Sequence, residues 1–291
     1  MVSGIALVDK PHGISSHTVV AQARRALGTK KVGHAGTLDP AATGLLVLGV
    51  GPGTRLLTFV VGADKSYWAT MRLGYGTTTD DAEGEALVPT GNIEAVSEES
   101  VRAAAKALVG EIDQVPSTYS AIKVDGKRAY DLARSGQDVE LTSRRVTIHA
   151  LDIDEVTRGE GVVDVTMRVE CSSGTYIRAI ARDIGSALGV GGHLTALRRD
   201  VVGPFLVEDA VSAEDLTESH LLDLAAVAQQ ILPSIELGAA DTEHVRHGRA
   251  VDTASWPADT PVAALSASTG ELVAVVQASA GKSRILMGVA G

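Results

Sequence analysis

Cysteine occurs once in these 291 residues, at Cys171. A single thiol excludes an intramolecular disulfide and any zinc cluster built on cysteines. Within the strand-like run VDVTMRVEC it reads as a small buried hydrophobe rather than a nucleophile. Aromatic side chains make up only 3% of the chain, so each Tyr and Trp carries information. Long apolar runs are missing too. GLLVLGVG from Gly44 is cut by Pro52 and Arg55 before it could cross a bilayer, and MVSGIALVDK has no basic segment leading into an apolar one. The expectation is a soluble, cytoplasmic protein. With no P-loop and no convincing GxGxxG, a nucleotide cofactor is not indicated. His34 has no second histidine at helical ligand spacing, which argues against a metal.

Basic charge is also short, with 26 Lys and Arg against 36 Asp and Glu. A net charge of −10 argues at first against a nucleic-acid partner, because phosphate binding is driven by cations. The acids are concentrated, however. Residues 80–113 and 208–243 each hold nine, leaving 24 basic against 18 acidic residues elsewhere. Clusters stand out at Arg24, Arg25, Lys30 and Lys31, at Lys123, Lys127 and Arg128, at Arg144 and Arg145, and at Arg198 and Arg199. Taken singly each is a solvated face; together they keep a nucleic acid open.

What is present is 45% hydrophobic residues, ample for a sizeable core. IALVD reads as a strand ended by the turn KPHG, with Ser15 or Ser16 capping a helix over SHTVVAQARRAL. DKSYWATMRLG reads as a strand and GYGTTTDDAEGEAL as a loop. SEESVRAAAKALVGEI is a helix capped by Ser97, and QVPSTYSAIKVDGKRAYDLARSG an extended segment, a DG turn and a short helix. RRVTIHALDIDEV and VVDVTMRVEC alternate like paired strands, GTYIRAIARDIGSALG is an amphipathic helix, and HLTALRRDVVGPF is extended. The irregular order favours α+β over a doubly wound fold. After the helix-like SHLLDLAAVAQQILPS, the pieces PVAALSA, ELVAVVQAS and SRILMGVAG point to a small all-β appendage beginning near Pro233.

The stretch GHAGTLDPAATG places a lone acid, Asp39, among small residues. Asp followed by Pro is first of all a helix start. The alternative is a carboxylate held where water is sparse, acting as nucleophile or base, with Gly33, Gly36 and Gly44 allowing close approach of a substrate. Such a carboxylate needs a compensating partner. Arg178, among apolar residues near a helix start, is a candidate, as an exposed helical arginine is for the same position. Tyr67 and Tyr176 are core residues or pocket walls; a flat ring suits a base-binding pocket.

LVDKPHGISSH, GHAGTLDPAATGLLVLGVG, DKSYWATMRLG, QVPSTYSAIKVDGKRAYDLAR and SSGTYIRAIARDIG followed by GGHLTALRR, in that order from about residue 4 to 205, resemble the bacterial TruB family of tRNA pseudouridine-55 synthases. The resemblance implies an α+β pseudouridine synthase fold, with a mixed, mainly antiparallel sheet flanked by helices over residues 1–233 and a short PUA-like RNA-binding domain over 234–291. It implies isomerisation of uridine 55 in the tRNA T-loop by base flipping, with no cofactor. Asp39 matches the catalytic aspartate, Tyr67 the active-site tyrosine and Arg178 the arginine that pairs with the aspartate. Tyr176 and Leu197 match residues packing around the uracil, His34 one that fills space left by displaced bases, and Lys10 part of a motif bracing the site. Thr37 stands where some relatives have Ala. The implied partner is the tRNA T-stem-loop, with no membrane, no obligatory protein partner and a monomeric state. Attack at C1′, attack at C6 and removal of the C2′ proton all remain open for Asp39. A non-catalytic RNA-binding protein, a guide-RNA-dependent relative and, more remotely, a glycosidase using Asp80 or Asp81 are the competing readings.

Overall fold

A computed structural model describes residues 2–117, 141–254 and 256–289, and the backbone of 123–124 and 127–128. The chain forms two compact units, one made of Met1–Pro40, Gly44–Gly62 and Val202–Gly291, the other of Ala41–Thr43 and Ala63–Val201.

In the first unit, β1 (Gly4–Lys10) pairs antiparallel with β3 (Thr43–Val50), Lys10 lying opposite Gly44. The short β2 (Val32–His34) also pairs with β3. The apolar run of β3 is continuous because both of its faces are covered. Leu46 and Leu48 pack with Val19, Val20 and Ala23 of helix α1 (Ser16–Ala26). Leu45 and Val47 share a cluster with Leu56 and Val60 of α2 (Gly53–Val61) and with Ala263 and Val275. Full burial of each such side chain stabilises by about 1.5–3 kcal/mol, so this run cannot be a surface loop.

The second unit is a twisted sheet in the order β10 (Gly192–Val202), β4 (Lys65–Leu73), β9 (Val162–Cys171), β8 (Arg144–Gly159), β5 (Gly110–Gln114). Strict alternation in β9 buries Val163, Val165, Met167, Val169 and Cys171. They face α3 (Glu98–Lys106) and α4 (Ile177–Ala187) in one cluster. A Cβ on Gly185 of α4 would lie 2.3 Å from backbone atoms of Gly191 and Gly192, so only glycine lets the helix sit this close to the start of β10.

The α+β class expected from the sequence is what forms. Helix α3 ends at Lys106 instead of running on to Ile112. Gly110, at φ +113°, turns the chain into β5, where ladder bonds to β8 replace helical ones. The sequence alone passed over α2 and the helix Ala239–Arg246. The latter lies inside the stretch read as all-β, between β12 (Ser234–Leu237) and the strands β13 (Pro261–Ser266), β14 (Leu272–Ser279) and β15 (Lys282–Gly288). These four strands form one sheet in chain order, with β12 and β13 parallel. Lys123–Val124 and Lys127–Arg128 pair antiparallel; the DG turn and the short helix read here lie outside the described residues. Among the described residues no helix is long and apolar enough to cross a membrane.

Lys65 and Cys171 face each other across β4 and β9, both buried. Burial, reinforced by the nearby Arg199 cation, pushes the Lys65 ammonium down to about 8, and burial pushes the Cys171 thiol up to about 11. Cys171 is therefore an inert thiol. Between about pH 8 and 10.5 the unfolded chain holds a proton that folded Lys65 has released, so this group's contribution to stability rises with pH across that window. Lys65→Met removes the linkage. Its unfolding midpoint is expected above that of the wild type at pH 7, with the gap closing as pH climbs through the window. A gap that does not change with pH would show that Lys65 does not titrate there.

Candidate active site

Asp39 is half-buried in the loop between β2 and β3, and its two neighbours are fixed from the N-terminal segment. Ser16 Oγ accepts the Leu38 N–H at 2.9 Å and donates to the Leu38 carbonyl at 2.9 Å. On the other side, the Pro40 carbonyl accepts the Gly13 N–H at 2.8 Å and Lys10 Nζ at 3.2 Å. Lys10 is fully buried and also donates to the carbonyls of Pro11 at 2.9 Å and Ile14 at 2.8 Å. A buried ammonium demands such partners, and here they tie the turn after β1 to the aspartate loop. The two serines divide their work: Ser15 caps α1 by accepting from Thr18 N–H at 3.1 Å, which leaves Ser16 for Leu38.

The helix start read at Asp39–Pro40 does not form. A turn at Pro40 and Ala41 leads straight into β3. Burial of β3 on both faces outweighs the local preference of an Asp-Pro pair, as tertiary context commonly does. His34 ends β2, its ring edge-on to His17 at 5.7 Å.

The remaining candidates belong to the second unit. Tyr67 lies on β4 opposite Val169 and is 7% exposed. Leu197, on β10, is partly buried against the cluster that contains Tyr67 and Ile177. Tyr176 is the N-cap residue of α4, where its side chain makes no capping bond. Its backbone is held by Gln114, which accepts the Tyr176 N–H at 2.8 Å and donates to its carbonyl at 3.1 Å. Arg178 follows in the first turn and is 6% exposed, which rules out the exposed-arginine reading. Its Nη1 donates to Asp81 Oδ2 at 3.0 Å and to the Thr79 carbonyl at 2.9 Å. Asp81 Oδ1 in turn accepts Thr79 Oγ1–H at 2.5 Å and the Glu83 N–H at 3.1 Å. Breaking a buried pair of this kind by removing one partner costs about 3–5 kcal/mol, so Arg178 is fixed in direction.

Sequence reasoning missed Ser16, Gln114 and Asp81 as positioning groups. The available signal was thin: two serines where a helix needs one cap, and two consecutive acids in a threonine-rich loop. Gln114 carried none. Since the Leu38 amide depends on one hydroxyl, Ser16→Ala strands a buried donor at a cost of about 1–3 kcal/mol. Hydrogen exchange at that amide should accelerate by about tenfold or more, while the α1 amides stay protected. Unchanged exchange at Leu38 would show that the loop is held by other means.

Two family profiles fit consecutive stretches of the chain: TruB family pseudouridylate synthase (N terminal domain) over residues 24–177, and tRNA pseudouridylate synthase B C-terminal domain over residues 178–235. Proteins named tRNA pseudouridine synthase B match along nearly the whole length. That of Arthrobacter sp. (strain FB24) is 52% identical, covering 97% of this chain and 94% of the relative. That of Thermobifida fusca (strain YX) is 47% identical over the full length of both. Among solved structures, a chain of a Cbf5-Nop10-Gar1 complex superposes with a TM-score of 0.74 at 27% identity, covering 99% of this chain and 84% of its own. A chain of an H/ACA RNP bound to a substrate RNA containing 2'-deoxyuridine gives 0.71 at 26%, covering 98% and 83%. With its fold and about half of its residues shared in this way, the chain belongs to the TruB family of pseudouridylate synthases.

Proposed function

We propose that this chain isomerises uridine 55 in the T-loop of tRNA to pseudouridine. The observation that carries the reading is a lone aspartate, Asp39, presented by a loop whose flanking residues are both pinned, in a chain of this family. The reaction breaks the bond from C1′ to N1, turns the base and rejoins it through C5. It involves no redox change and no phosphate energy, so it calls for no cofactor. The uridine must first leave its stack, at a cost of a few kcal/mol that apolar and aromatic walls partly return. Tyr67, Tyr176 and Leu197 are suited to that role, and His34 to filling the space a displaced base leaves. Asp39 is the reacting carboxylate and Arg178 the guanidinium that pairs with it and orients it. Lys10 braces the loop. Residues 1–233 form the catalytic part and residues 234–291 a short PUA-like module for RNA. The enzyme works in the cytoplasm as a monomer on the T-stem-loop, without an obligatory protein partner.

One structural neighbour is a protein solved with Nop10 and Gar1, which keeps a complex-dependent activity as the second reading. Incubating the pure chain with an unmodified tRNA transcript and mapping pseudouridine by position separates the two. Modification at position 55 alone is expected, and no modification without added proteins would favour the second reading. Asp39→Asn should abolish tritium release from 5-labelled uridine while tRNA affinity stays within about twofold, since it changes the reacting group and not the phosphate contacts. Turnover by that variant would remove Asp39 from the chemistry. Affinity of the wild type should fall steeply between low and high salt despite the acidic composition, measured by filter binding; a flat response would exclude a basic RNA-facing surface.

A further inference from the structure

The acid next to Asp81 has its own arginine. Asp80 Oδ2 accepts Arg182 Nη1 at 3.2 Å and Ser117 Oγ–H at 2.7 Å. Arg182 sits one helical turn after Arg178 on α4, and Arg178 holds Asp81. Two consecutive carboxylates thus meet two arginines spaced i, i+4. In an extended chain neighbouring side chains point to opposite sides, so both acids could not reach one helix face. Asp80 resolves this by adopting φ +59°, a left-handed conformation unfavourable for a non-glycine residue but one that Asp tolerates better than most. The Asp80 N–H donates to the Thr77 carbonyl at 3.3 Å, and its carbonyl accepts the Leu194 N–H at 3.0 Å.

Arg182 is anchored further by the Val115 carbonyl at 2.7 Å and by Asp183 at 2.9 Å. Ser117 is fully buried. From Gln114 to Ser117 the chain therefore touches three points in four residues: the Tyr176 backbone, Arg182 and Asp80. Nothing in the proposed chemistry uses Asp80, Arg182 or Ser117, yet all of them converge on the backbone that delivers Asp81 to Arg178.

We infer that Asp80, Arg182 and Ser117 form a positioning clamp that holds the left-handed turn at Asp80, and through Asp81 sets the direction of the Arg178 guanidinium during pseudouridine formation. The inference rests on the activity proposed above and adds positioning residues to it. Arg178 is the group that acts; the clamp works through it.

The test compares Asp80→Asn, which keeps shape and left-handed tolerance but removes the charge, with Arg182→Lys and Ser117→Ala. The readouts are single-turnover tritium release at saturating enzyme and, separately, the Kd for the same tRNA. Asp80→Asn and Arg182→Lys are expected to slow the chemical step by about tenfold, the scale of a sub-ångström misplacement, with Kd within about twofold. Ser117→Ala, which removes one of the two bonds to the Asp80 carboxylate, should give a smaller loss of the same kind. In a double-mutant cycle with Arg178→Lys, Asp80→Asn should add little further loss, because both act through one guanidinium. Wild-type rates in the Asp80 and Arg182 variants, an equal loss of affinity, or fully additive effects would overturn the clamp. So would a wild-type rate for Ser117→Ala where Asp80→Asn fails to fold. Absence of tritium release by the wild type would instead remove the activity itself.

Discussion

The Lys10 ammonium, buried and donating to the carbonyls of Pro11, Ile14 and Pro40, is the interaction on which the aspartate loop depends. Burying a cation is costly unless its protons are taken up, so the turn KPHGI must wrap around Nζ and the Pro40 carbonyl must come to meet it. Gly13 follows with its own N–H to the same carbonyl, and Ser16 takes both backbone groups of Leu38. Asp39 is then the one residue between two fixed points. A side chain held this way has lost much of its backbone freedom before any substrate arrives, which is the condition under which orientation lowers a barrier.

The second unit solves a related problem with paired charges. Arginines in the first two turns of α4 point at a loop that supplies consecutive aspartates, and the helix start is fixed from the side by Gln114. Each guanidinium also takes a backbone carbonyl, that of Thr79 or Val115. Charge-assisted bonds of this kind are stronger than neutral ones, and they act on a helix whose close seat against Gly191 and Gly192 leaves it little room to shift.

Much of this was legible in the residues. Alternation in VDVTMRVEC named the buried face of β9, and the Ser97 cap named the start of α3. The lone acid in GHAGTLDP stood out because nothing near it was charged. What was not legible has a common cause. The strand after Asp39, the end of α3 and the turn at Asp80 are decided by partners distant in sequence, whether a second buried face, a strand ladder or a helix whose arginine stands 102 residues further along the chain. Local preference gave a helix start at Asp39–Pro40 because that pair suits one; it could not register that Ala263 and Val275 would cover the following segment. Gln114 and Asp81 were invisible as supports for the same reason, since an amide or a loop acid acquires its role only from what folding brings beside it.

The first unit is built on contacts of two very different spans. The bonds that shape the aspartate loop join residues 10–16 to residues 38–40, a short span that closes at small entropic cost. The surface behind β1 and β3 is completed by Leu224 and Ala228 and by strands beyond residue 260, far along the chain from the loop they support. Without those strands the contacts that shape the loop would all be present but lack their backing, so the rigidity of the aspartate loop is borrowed from residues more than two hundred positions away.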